Sequence, residues 1–173
     1  MGTGIIMCGL NGAGKSTLGK ALADKLNYRF IDNEDLYFPK TDPDYMYAAE
    51  RTREEVEELL LSEIKAHEDF VFTSVKGDYT KALPFFNYAV LVSVPRDIRL
   101  QRVKERSFRK FGERMLPGGD LYERERGFFN LVSSRAENTV EEWLLTFGGR
   151  VIRVDGTKPV DENICLIIEE IKR

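Results

Sequence analysis

In 173 residues the chain has one histidine, two cysteines and one tryptophan. Each scarcity closes a route. Ser-His-Asp and Cys-His chemistry would both have to use His67, and a multi-histidine metal site is excluded. His67 ends an amphipathic run with Val56, Leu59, Leu60 and Ile64, which places it on a helix face. Cys8 and Cys165 have no metal-type spacing, so neither a disulfide framework nor a zinc site is expected. No stretch approaches about eighteen consecutive apolar residues. The opening "MGTGIIMCGL" lacks the basic n-region and long apolar stretch of a secretory signal. A cytoplasmic protein is the resulting expectation. The net charge of −3 gives no bulk reason to expect nucleic acid.

What is present is a soluble-type composition, 42% hydrophobic and 32% charged. Short apolar runs predict strands at Ile5–Cys8, Tyr28–Asp32, Phe70–Val75, Tyr88–Val94 and in "RVIRVDG". The third and fourth of these runs are continuous rather than alternating, as in parallel strands covered on both faces. Between them fall helical patterns: Lys15–Leu26, a long acidic helix or two starting near Pro43, and a basic one after Pro95 that breaks at Leu116–Asp120. A further helix is expected over roughly Leu121–Leu145, and a last one carries Ile164, Ile167, Ile168 and Ile171. Alternating strands and helices predict a doubly wound α/β fold, a three-layer sandwich on a five-stranded parallel sheet. One domain over 1–173 is expected, with insertions near 36–68 and 107–127.

Gly9-Leu10-Asn11-Gly12-Ala13-Gly14-Lys15-Ser16 fits G-x-x-x-x-G-K-[ST] without substitution, between a predicted strand and a predicted helix. Bare backbone at the glycines lets successive N–H groups turn toward phosphate oxygens, and the helix N-terminus adds partial positive charge. Asn11, Gly12, Ala13 and Gly14 thus cradle the phosphates. Lys15 reaches the β- and γ-phosphates, Ser16 offers a hydroxyl to Mg²⁺, and Thr17 supports the loop. Neither D-x-x-G nor N-K-x-D occurs, which argues against a GTPase. Neither the third nor the fourth predicted strand ends in an acid, which argues against a motor or transporter ATPase. The acids that remain are in "FIDNEDLYF": Asp32, Glu34 and Asp35.

With these features the chain resembles the small P-loop kinases, the group of nucleoside monophosphate, shikimate and gluconate kinases, over nearly its whole length. The resemblance implies that Asp32 helps hold Mg²⁺ and that Glu34 or Asp35 orients or deprotonates the acceptor hydroxyl; the D-x-E-D spacing departs from the D-x-D pattern. An Asx turn capping the next helix is the structural alternative for these acids. It further implies a lid in "RLQRVKERSFRKFGERM". There Arg102 and Arg106, four apart on one helical face, match the arginines that cover adenine and contact phosphate. Arg109, Arg114 and Arg135 are further candidates, and eight of fifteen arginines fall between Arg96 and Arg126. Gly112, Gly118 and Gly119 suit a mobile lid. Thr157, Lys158 and Pro159 match the turn that lies against adenine, although a plain strand–helix turn capped by Asp161 would also account for them.

On the acceptor side, Tyr37, Phe38, Tyr45 and Tyr47 are available for stacking, Arg51 and Arg53 for an anion. Lys76 and Asp78 lie at the carboxyl edge of the sheet. The implied activity is ATP- and Mg²⁺-dependent phosphoryl transfer to a nucleoside, nucleotide or sugar acid, by a monomer or homodimer with no nucleic-acid or membrane partner. Lys15, Asp32, Asp35, Arg102 and Arg106 are the expected catalytic set. The competing reading is an ATP-binding regulatory protein or slow ATPase without an acceptor.

Overall fold

In the computed structural model, which describes residues 2–173, the five apolar runs form strands: β1 (Gly4–Cys8), β2 (Arg29–Asp32), β3 (Phe70–Thr73), β4 (Tyr88–Ser93) and β5 (Arg150–Asp155). All pairings are parallel, in the order β2-β3-β1-β4-β5. Successive residues of β1 alternate between two cores. Ile6 and Cys8 join Leu60, Phe70, Phe72 and Trp143 on one face. Ile5 and Met7 join Leu18, Leu22, Ile164 and Ile167 on the other. That double covering is why the central strands β1, β3 and β4 read as apolar runs.

The helices are α1 (Lys15–Leu26), α2 (Asn33–Tyr37), α3 (Arg53–Ala66), α4 (Arg96–Phe111), α5 (Tyr122–Ser134), α6 (Thr139–Leu144) and α7 (Val160–Lys172). The three-layer α/β sandwich on a five-stranded parallel sheet is therefore as the strand pattern predicts. The strand order reverses at β1, so the crevice opens where β1 ends, the point at which open α/β sheets hold ligands.

Three boundaries differ from the sequence pattern. The acidic helix starts at Arg53, not near Pro43, because Thr52 and Glu55 form a reciprocal capping box. The basic helix stops at Phe111, before the expected break, because Gly112 turns to φ +57°. The stretch expected as one helix over Leu121–Leu145 is two, since Arg135 is extended at φ −64°, ψ 130°. Just before it, the Ser133 and Ser134 hydroxyls donate to the Asn130 and Leu131 carbonyls, bonds that loosen a helix end. Among the described residues no helix is long and apolar enough to cross a membrane.

Candidate functional site

The site begins where β1 stops. Gly12 and Gly14 adopt φ +84° and +89°, the left-handed region that favours glycine. A Cβ on Gly12 would stand 2.3 Å from the Arg99 carbonyl oxygen, so the loop and α4 are in backbone contact. Gly14 is the N-cap of α1 and supplies no side-chain cap. The first N–H groups of α1 are thereby left for an external acceptor.

Arg99 fixes this loop from behind. It is 3% exposed. It donates Nε to the Val94 carbonyl at 3.1 Å and Nη1 to the Asn11 carbonyl at 3.2 Å. Nη2 reaches both Glu137 oxygens at 2.7 and 2.8 Å. Sequence reasoning passed over it among the many arginines of α4. The signal available was its place three residues before Arg102, on the turn facing the loop.

Lys15 donates to the Leu10 carbonyl at 3.3 Å. Burial first, and then the Arg106 charge, pull its ammonium down to about 8 against the opposing field of Asp32. Asp32 ends β2 beside Thr73 of β3, and its Oδ1 accepts the Glu34 N–H at 2.9 Å as the cap of α2. The capping alternative for Asp32 is thus realised, yet Asp32 also lines the cleft with Lys15, Ser16 and Thr17. Two buried polar atoms here have no partner, Asn11 Oδ1 and Thr73 Oγ1. Both residues line the same cleft, and buried polar atoms of this kind are ordinarily satisfied by a ligand or water.

The three acids separate. Glu34 lies in the cleft, where its Oε1 accepts the Tyr47 hydroxyl at 2.7 Å and pairs with Lys40 at 3.5 Å and Lys110 at 3.8 Å. Burial pushes its carboxyl up, but Tyr47, Lys110, Lys40 and Arg106 outweigh this, and it sits below the ordinary value. Asp35 is not brought to the cleft. Its side chain is 65% exposed and paired with Lys40 at 2.6 Å, because α2 turns it outward.

The arginines separate as well. Arg106 and Arg135 line the cleft, and burial lowers the Arg135 guanidinium from its usual range. Arg102 instead joins the Gly12 and Gly156 carbonyls, each at 3.4 Å, so it links the loop to the turn after β5. Arg109 is exposed and does not line the cleft. Arg114 is committed to Asp120 at 2.7 Å and the Asp44 carbonyl at 2.8 Å. In the turn after β5, Thr157 donates to Asp155 at 2.6 Å and Lys158 to Glu162 at 3.0 Å. The cap of α7 is Pro159, not Asp161.

On the acceptor side Tyr37, Phe38, Tyr45 and Tyr47 line the cleft. Arg51 does not serve it, since it donates to the Leu36 carbonyl at 2.8 Å. Arg53 pairs with Asp78 at 3.4 Å and lies 5.6 Å over the Tyr79 ring. Lys76 pairs with Asp78 at 3.3 Å. His67 is the C-cap of α3, with a 46% exposed side chain 4.0 Å from Glu63.

Fold and loop together define a P-loop nucleotide-binding protein with the architecture of the small-molecule kinases. The chain belongs to the AAA domain family, which matches residues 5–114. It is 26% identical over 176 residues to the uncharacterized protein YqaC of Bacillus subtilis (strain 168), covering 95% of each chain. Among solved structures, deoxyadenosine kinase from M. mycoides superposes with a TM-score of 0.56 at 18% identity, covering 98% of this chain and 99% of that one. Shikimate kinase from Aquifex aeolicus vf5 gives 0.53 at 18% identity, with 98% and 96% covered. These likenesses establish the fold.

Proposed function

We propose that the protein is an ATP- and Mg²⁺-dependent phosphotransferase acting on a small-molecule acceptor. The observation that carries this reading is the cleft itself. One cleft of about 720 Å³ joins the glycine loop, Lys15, Asp32, Arg106 and Arg135 to an aromatic-walled chamber. A protein that only held nucleotide would have no use for the second half.

The residues fit a triphosphate with magnesium. The uncapped helix and the left-handed glycines form an anion cradle. Ser16 and Asp32 offer hard oxygen donors. No cluster of three or more His, Cys, Asp or Glu residues exists among the described residues. That suits Mg²⁺, which is commonly held through one or two protein oxygens, phosphates and water. When bound, the ion neutralises charge shared by the β- and γ-phosphates.

The chain's own groups do the rest. Lys15, Arg106 and Arg135 surround the position of the transferred phosphoryl group, where charge spreads over the equatorial oxygens. Asp32 has Oδ1 engaged by the α2 N–H, so Oδ2 is the one oxygen left both to help hold magnesium and to orient the acceptor's hydroxyl. Glu34, wired to Tyr47 and Lys110, positions the acceptor side, and Asp35 has no part. Arg102, Thr157, Lys158 and Pro159 mark the nucleotide-base end.

The test is acceptor-dependent ADP release by the full chain with nucleosides, nucleotides and sugar acids. Release above the water background is expected with at least one class. Asp32→Asn is expected to retain ATP binding and to lose turnover by about a hundredfold or more. Absence of acceptor stimulation across the screen removes the reading.

A further inference from the structure

Glu125, on α5, is 2% exposed, the only acidic side chain among the buried residues described. Its Oε1 accepts the Tyr45 hydroxyl at 3.1 Å. Its Oε2 is buried with no partner. The cations nearby are engaged elsewhere: Lys110 contacts the Tyr47 hydroxyl and Glu34, and Arg124 stands 5.0 Å over the Tyr45 ring. Burial, and then the Glu125 charge, raise the Tyr45 hydroxyl to about 12, so it remains a fixed donor. Glu125 also lines the cleft that holds Lys15 and Asp32.

The walls around it are aromatic. Tyr45 meets Tyr47 edge-on at 5.6 Å and Phe111 at 5.3 Å, and Tyr47 meets Phe111 at 6.2 Å. These rings come from the segment before α3 and from the end of α4, while the carboxylate comes from α5. Three separate segments therefore converge on one aromatic-walled chamber, where Glu125 Oε2 is the buried unpartnered carboxylate oxygen among the described residues.

We propose that Glu125 Oε2 recognises the acceptor, and that the acceptor presents an amino N–H on a flat ring, as a nucleoside does. This rests on the phosphotransferase reading of the same cleft. A buried carboxylate oxygen is satisfied by a donor, and flat aromatic walls suit a planar ring. A sugar acid would set a second anion against Glu125. Arg53 and Lys76, cations on this side that could receive its carboxylate, are both already engaged by the single carboxylate of Asp78, at 3.4 and 3.3 Å.

Equilibrium binding to the full chain, saturated with magnesium and a nonhydrolysable ATP analogue, tests this without requiring turnover. Cytidine is compared with its 4-deamino analogue, adenosine with purine riboside, and both with gluconate and shikimate. At least one amine-bearing nucleoside is expected to bind about tenfold tighter than its deaminated partner, the worth of one charge-assisted hydrogen bond. Glu125→Gln keeps the acceptor for Tyr45 but sets an amide in place of the orphan oxygen. It is expected to erase that preference while leaving ATP-analogue affinity unchanged. The wild-type ligand pairs give the answer even where the variant folds poorly. Equal binding of the deaminated compounds, tighter binding of a sugar acid, or no nucleoside binding overturns the proposal. Discrimination without ADP release preserves it and removes the kinase activity. ADP release with a sugar acid, indifferent to Glu125, does the reverse.

Discussion

Lys15 is held where its own charge is unwelcome until phosphate arrives, and the consequence is measurable. Its ammonium is lowered from 10.5 to about 8, chiefly by burial and then by Arg106. Below about pH 8 both the folded and the unfolded chain carry this proton, so the whole penalty of holding the charge is present. Between about 8 and 10.5 the folded form sheds the proton first, and stability rises with pH. Above about 10.5 the penalty is gone. At roughly 1.4 kcal/mol per unit, the shift corresponds to an upper limit of about 3 kcal/mol at neutral pH.

Lys15→Met removes the charge and keeps an unbranched stem. Without nucleotide, the variant is expected to melt several degrees above the wild type at neutral pH, at about 2–4 °C per kcal/mol for a chain of this size. The advantage should shrink steadily toward about pH 10.5. With ATP the order should reverse, because a triphosphate restores the counter-charge only for the wild type. Thermal melts across pH, with and without nucleotide, read all of this. A variant no more stable than the wild type at neutral pH, or an advantage that persists undiminished at high pH, refutes the reasoning. Nucleotide binding by the wild type above about pH 8 should also take up a proton, which calorimetry in buffers of different ionisation enthalpy detects.

Arg99→Ala leaves the Val94 and Asn11 carbonyls without their donor, at about 1–3 kcal/mol for each buried group. The expected result is a marked fall in melting temperature together with weaker nucleotide binding; a change in neither would show that the loop is rigid without it. Gly12→Ala places a Cβ 2.3 Å from the Arg99 carbonyl oxygen at φ +84°, so nucleotide affinity by equilibrium binding should drop by an order of magnitude or more. Asp35→Asn, with its 65% exposed side chain, is expected to leave acceptor-dependent turnover within about twofold, since surface changes of this kind are small. Loss of turnover there would return Asp35 to the catalytic set.

The nucleotide half was legible because it is written in local patterns. Glycine spacing, one lysine, one hydroxyl and a preceding apolar strand determine the loop from Gly9 to Ser16 with no long-range information. The central strands were legible because both faces are buried, so every residue of β1 and β3 is apolar or small, whereas the edge strands β2 and β5 carry exposed arginines. Helix ends were less so. The capping box of Thr52 and Glu55 was present in the sequence, but Pro43 ahead of it is also an acceptable helix start. The break at Arg135 rests on serine hydroxyls turning back on their own helix, which periodicity does not register. The acceptor half was the least legible. Glu34 and Asp35 are adjacent in the chain, yet one faces the cleft and the other solvent, because α2 starts at Asn33 and rotates them apart. Glu125 is one of two acids in "LYERERGFF", and only packing distinguishes it from Glu123, whose side chain is 70% exposed.

The same contrast bears on how the cleft is divided. Phosphate recognition rests on backbone, held by Arg99 and by the Gly12–Arg99 contact, and it tolerates little change. The proposed acceptor recognition rests on side chains from three segments joined by Tyr45 to Glu125, by Lys110 to Tyr47, and by Arg114 to the Asp44 carbonyl at 2.8 Å. Each of these contacts ties the stretch before α3 to the stretch from α4 to α5. On the phosphotransferase reading these ties hold the acceptor chamber together, and breaking them would expose Glu125 to water and part its aromatic walls. Water exclusion and acceptor recognition become one event. In the proposed reaction, a phosphoryl donor on the loop would then meet an acceptor that satisfies the buried carboxylate, rather than bulk water.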